Sequence, residues 1–89
     1  MIGMFASSKS GHDKDTIYII IKEEKEYVYV VDGRIRTLNH PKKKNKKHIQ
    51  IIKKFQNLEL AEQLKAGDRV MDEQIKRAIK IMRMDNSEI

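Results

Sequence analysis

From Arg34 to Lys54 the chain carries nine Lys or Arg and no Asp or Glu. The residues before this block contribute a net charge of −2 and those after it −1, so the whole excess of +6 sits in about a quarter of the 89 residues. Like charges packed this densely repel one another and cannot be buried together. A fold for this chain must therefore hold the block at its surface or bring an opposing charge to it. The commonest opposing partner for such a block is a polyanion.

A lysine run can also serve solubility, targeting or attachment to anionic lipid. This one is not a tail. Strand-like segments, Ile35–Leu38 and Ile49–Ile52, flank it, so folded structure holds it in place, and that favours nucleic acid.

Eighty-nine residues make one small domain with a modest core. Charged residues are 36% of the chain and aromatic ones 6%, which implies a strongly charged surface. The absence of Cys excludes disulfides and thiolate metal sites and fits a cytoplasmic protein. Residues 1–8 lack the basic start and long apolar run of a signal peptide. The longest apolar run, Ile17–Ile21, is far short of a membrane span.

Five strands are expected. Met1–Ser8 alternates through Ile2, Met4 and Ala6. After a polar loop over 7–15, in which Asp13 is placed to bond its own backbone, Thr16–Lys22 is nearly all β-branched and apolar, the pattern of a strand covered on both faces. Glu23–Glu26 reads as a hairpin connection and Tyr27–Val31 as the third strand. Asp32-Gly33 is a strong hairpin signal, from which Arg34–Leu38 is expected to return as the fourth strand. Pro41 ends that strand, 39–48 is a solvated basic loop, and His48–Ile52 is the fifth strand. Five such strands predict a small closed or nearly closed barrel, because closure removes exposed edges. Beyond residue 55 the period becomes helical. Asn57 is a candidate N-cap and Gly67 a C′ residue for one helix, and Asp72 is placed to cap a second, with an apolar stripe at Ile75, Ala78, Ile79 and Met82. Residues 85–89 are expected to fray. The division expected is a barrel over 1–54 and a helical appendage over 55–89.

A catalytic constellation is missing from the sequence. His12, His40 and His48 are scattered without metal-binding spacing, the four glycines are isolated, and the acids at 23–26 fall in an exposed turn. The reading is therefore of a protein that is not an enzyme, with no cofactor, no small-molecule substrate and no membrane attachment.

Phosphate binding has better parts. Lys42, Lys43, Lys44, Lys46 and Lys47 form the expected phosphate-binding set, and as solvated residues their removal should leave the fold intact. His40 and His48 bracket them, and Lys53 and Lys54 follow the fifth strand. Arg34 and Arg36, two apart on a strand, point to one face, as do Tyr27 and Tyr29, which serve either as a stacking platform or as ordinary strand packing. Lys76, Lys80 and Arg83 share a helix face that is either solvated or a second contact surface.

The stretch from Gly3 to Ile21, a strand followed by Ser8, Gly11, Asp13 and Lys14 in a loop and then a hydrophobic strand, resembles a KOW domain. Val31-Asp32-Gly33-Arg34-Ile35-Arg36, the run Pro41–His48, Gly67 with Val70, and Asp72–Ala78 extend the likeness to the KOW-containing RNA-binding proteins of Firmicutes. These are similar to a KOW-type large-subunit ribosomal protein family of archaea and eukaryotes. The resemblance implies an SH3-like barrel that binds RNA, ribosomal RNA or the ribosome, and adds Lys9, His12 and Lys14 of the loop to the candidate contacts. The chain departs from the family at Asp15, where a glycine normally serves a tight turn. Asp tolerates positive φ better than most residues, so the turn is expected to survive.

The function expected is an RNA-binding module associated with ribosomal RNA or ribosomes. Its rivals are a transcription or translation accessory factor whose main contact is with protein, and an adaptor at a membrane surface.

Overall fold

The computed structural model describes residues 1–86. Five strands come first: β1 (Phe5–Ser8), β2 (Ile17–Glu23), β3 (Tyr27–Val31), β4 (Lys42–Asn45) and β5 (Ile49–Ile52). Two helices follow, α1 (Leu58–Ala66) and α2 (Asp72–Asn86). All strand pairs are antiparallel, in the order β4-β3-β2-β1-β5.

The expected barrel is not formed. β4 and β5 are the two edges of an open sheet, and among the described residues no ladder joins them. A 3-10 turn over Lys46–His48 connects them instead. Closure is one way to protect an edge; a short edge strand rich in lysine is another, and β4 is four residues reading Lys-Lys-Lys-Asn. The sheet is nevertheless strongly curled. β4 and β1 lie three strand spacings apart, about 14 Å in a flat sheet, further than a lysine side chain reaches. Yet Lys44 Nζ is 2.7 Å from Ser8 Oγ.

Both faces of the sheet are buried, as the run at 17–21 predicts. Tyr18 and Ile20 join Ala6, Val28, Val30 and Ile49 on the concave face. Phe5, Ile19 and Val31 face the helices and pack against Leu60, Ile75, Ala78, Ile79 and Met82. The expected stripe on α2 is thus the one that docks. Asn57 caps α1 by accepting the Leu60 N–H at 3.0 Å, and Gly67 ends it in the left-handed region. Asp85 and Asn86 belong to α2; the rest of the expected frayed end lies outside the described residues.

Two further expectations fail together. Residues 34–38 make no strand: Asp32 Oδ1 accepts the backbone N–H groups of both Arg34 and Arg36 at 2.9 Å, and the Arg36 carbonyl accepts from Asp32 and Gly33. This is a wide side-chain-closed loop rather than a two-residue hairpin turn, and it leaves Ile35 83% exposed. The basic loop then supplies the missing strand, because Lys42–Asn45 pairs with Val30–Tyr27. Asp72 is the first residue of α2 and turns its carboxylate to the Leu38 N–H at 2.8 Å, tying this loop to the helix, while Gln74 Oε1 reaches back to the Met71 N–H.

Candidate nucleic-acid interface

Strand pairing sorts the lysine run residue by residue. Alternation turns Lys42 and Lys44 toward the concave face, where Lys44 is 7% exposed. There Asp13 collects them. Its carboxylate accepts from Lys42 Nζ at 2.9 Å, Lys44 Nζ at 3.1 Å, Tyr18 Oη at 2.8 Å and Ser8 Oγ at 2.9 Å. Burial pushes the Asp13 carboxyl up, but the hydrogen bonds from Lys42, Tyr18, Lys44 and Ser8 together outweigh it and hold it well below the usual carboxylate range. Burial, then the hydrogen bond to Asp13 and that carboxylate's charge, push the Tyr18 phenol up. So Asp13 does not bond its own backbone through its side chain, as the loop pattern suggests. It is the anion that opposes the lysine block from within the protein. The loop itself closes by backbone bonds, Thr16 N–H to the Asp13 carbonyl and Asp15 N–H to the Ser8 carbonyl, with Asp15 at φ +71° in the glycine position.

Other members of the run are also engaged. Lys46 pairs with Glu23 at 2.8 Å. Hydrogen bonds from Lys46 and the N-terminal amine hold the Glu23 carboxyl down at about 2. Lys43, on the opposite face to Lys44, lies 4.4 Å from the centre of the Tyr27 ring and 3.9 Å from Glu24 Oε1. Tyr29 carries Lys22 over its ring at 5.1 Å. Both rings are half-buried on the strand and covered by lysines. Of the five expected phosphate ligands, Lys47 alone is exposed with no ion pair among the described residues.

The remaining candidates divide by place. Lys9, His12 and Lys14 are exposed on the loop after β1, and the Lys9 N–H bonds the His48 carbonyl, which sets that loop beside the exposed Lys47 and His48. Lys53 and Lys54 are exposed after β5, and His40 is exposed before β4. Arg36 is half-buried in the 32–38 loop and does not share a strand face with Arg34.

Arg34 has a different setting. It lines an open groove of about 740 Å³ between the Asp32-Gly33 turn and α2, together with Lys76, Lys80 and Arg83. Among the described residues Asp32 is the one carboxylate in the lining, and Ile17, Ile79 and Met84 supply apolar surface. Arg34, Lys80 and Arg83 are exposed and have no ion pair among the described residues. Lys76 pairs with Glu73 at 2.8 Å, but Glu73 is 81% exposed and the pair is weak. Thr16, at the end of the Lys9–Lys14 loop, also lines the groove, so loop and groove adjoin. The i, i+4, i+7 spacing of Lys76, Lys80 and Arg83 was the sequence signal for this wall. Its junction with Arg34 depends on how the turn packs on α2, which no local pattern reveals.

Among the described residues no group of His, Cys, Asp and Glu is arranged to hold a metal ion, and no helix is long and apolar enough to cross a membrane. No family model matches the sequence, and a search of curated proteins finds no match.

Proposed function

We propose that this protein is an RNA-binding module that grips phosphates without sequence selectivity, and that ribosomal RNA or the ribosome is its target. The observation that carries the reading is the groove, where, among the described residues, four cationic side chains and a single carboxylate line one open cavity. Cations spent on internal carboxylates contribute little to a ligand's phosphates; Arg34, Lys80 and Arg83 have no ion pair among the described residues. The exposed Lys9, Lys14 and Lys47 extend the same positive surface past Thr16. The likeness of the 8–14 loop and the Pro41–His48 run to KOW-type RNA-binding proteins supports RNA over lipid, as does the lack of exposed Trp or Phe anchors for a membrane surface.

Phosphate contacts release counterions, so the affinity must fall with salt. Three to four neutralised phosphates give a log–log slope of roughly −3. Fluorescence anisotropy with a labelled ribosomal RNA fragment over a salt series, paired with sedimentation against ribosomes at low and high salt, tests this. A slope near zero would sink the reading and favour a protein partner.

A further inference from the structure

We infer that the groove between the Asp32-Gly33 turn and α2 receives one unpaired nucleotide of a bound RNA strand, which rests on the RNA-binding reading above. A surface that only neutralises phosphates has no use for an apolar lining. This groove has apolar surface in its lining, from the buried Ile79, the half-buried Ile17 and the 61% exposed Met84, beside Arg34, Lys80 and Arg83. Such a lining matches a ligand that is flat and apolar in its middle and anionic at its ends. A nucleotide within a strand is that ligand, with a base flanked by two phosphates.

The cavity's size and shape agree. About 740 Å³ lies within the range of sites that take small ligands, larger than a base and sugar need. It is open to solvent, so a strand can reach it. A paired base cannot reach the apolar lining, because its faces are stacked and its edge is held by its partner. Selection therefore falls on bulges, loops and ends, where RNA bases are unstacked. Asp32 gives the groove a direction. One of its carboxylate oxygens is held by the backbone N–H groups of Arg34 and Arg36. The other remains an acceptor for a base amino group or a ribose hydroxyl, and its charge keeps phosphates toward the outer cations.

Two RNA hairpins of equal length test the assignment, one with 2-aminopurine as a single-nucleotide bulge and one with it paired in the stem. The native protein should bind the bulged RNA roughly fivefold or more tightly, the low end of what stacking one base contributes, and change the 2-aminopurine emission. Met84→Gln keeps the charge and the helix propensity; it should shrink that preference and the emission change, weakening the bulged hairpin more than the paired one. Lys80→Gln should weaken both RNAs alike. Equal binding of the two hairpins by the native protein, or equal weakening of both by Met84→Gln, would overturn the inference and leave general phosphate binding standing. Failure to bind either hairpin would overturn both. Saturable binding of AMP with no RNA bound would instead assign the groove to a free nucleotide.

Discussion

Asp13 takes hydrogen bonds from four side chains, and two of them are cations from the lysine run. Removing its charge leaves Lys44 buried against Ser8 without a counter-ion. Breaking a buried pair from one side costs about 3–5 kcal/mol, so Asp13→Asn should lower stability by that order in urea melts at pH 7. Lys44→Met should cost less, because Asp13 keeps Lys42, Tyr18 and Ser8 and the concave face accepts an apolar chain. Equal losses would mean that the carboxylate is not the hub. The Asp13 carboxyl is held below its unfolded value of about 3.9. Its contribution is therefore complete above about pH 4 and fades as pH falls through the folded value. The gap between native protein and Asp13→Asn should narrow steadily below pH 4. A gap independent of pH would contradict the ionised hub. None of this pairing was legible in the chain. A uniform lysine run hides its own two-residue alternation, and Asp13 lies about thirty residues away from the lysines that it binds.

At the scale of elements, the loop over 32–38 and the start of α2 form one unit. A Cβ on Gly33 would meet the Asp72 carbonyl oxygen at 2.7 Å and Lys76 Cγ at 2.9 Å, at φ +80°. Gly67 has a similar φ of +76° but nothing within 4 Å. Positive φ costs a non-glycine residue about 1–3 kcal/mol at either place. Gly33→Ala must also push α2 away from its seat, so it should destabilise more than Gly67→Ala. The order is read from chemical melts of the two variants, and equal losses would show that α2 does not bear on the turn. Ile79, 8% exposed and facing the sheet, should tolerate no charge: Ile79→Asp should cost several kcal/mol through burial of an unpaired carboxylate or undocking of the helix. The helices and β2, β3 and β5 were legible because their apolar periods differ cleanly; Asn57 caps α1 as its type suggests, whereas Asp72, expected to cap α2, is its first residue and binds the Leu38 N–H instead. β4 was not, since lysine and asparagine are poor strand formers and only pairing to β3 makes the segment extended. Residues 34–38 have the opposite history: they look like a strand, but the Asp32 carboxylate competes for their backbone donors and wins.

For the molecule as a whole, the charge block splits into an internal share and an external one. Replacing Lys42, Lys43, Lys44, Lys46 and Lys47 together with Gln is therefore no test of binding, despite their appearance as a solvated loop. It strips Asp13 and Glu23 of their partners and should destabilise the fold by at least the amount expected for Asp13→Asn. The barrel expected from five short strands failed at this scale too, because a lysine-lined edge needs no second strand to cover it. The direct test of the proposed RNA binding at the groove uses the cations that have no carboxylate partner among the described residues. Arg34→Gln, Lys80→Gln and Arg83→Gln combined should melt close to the native protein, since none of the three makes an ion pair among the described residues. The log–log slope of RNA affinity against salt should nevertheless become shallower by about 2–3, close to one unit for each phosphate that is no longer neutralised. An unchanged slope, in a variant that is fully folded, would place the RNA elsewhere and contradict the assignment of the groove.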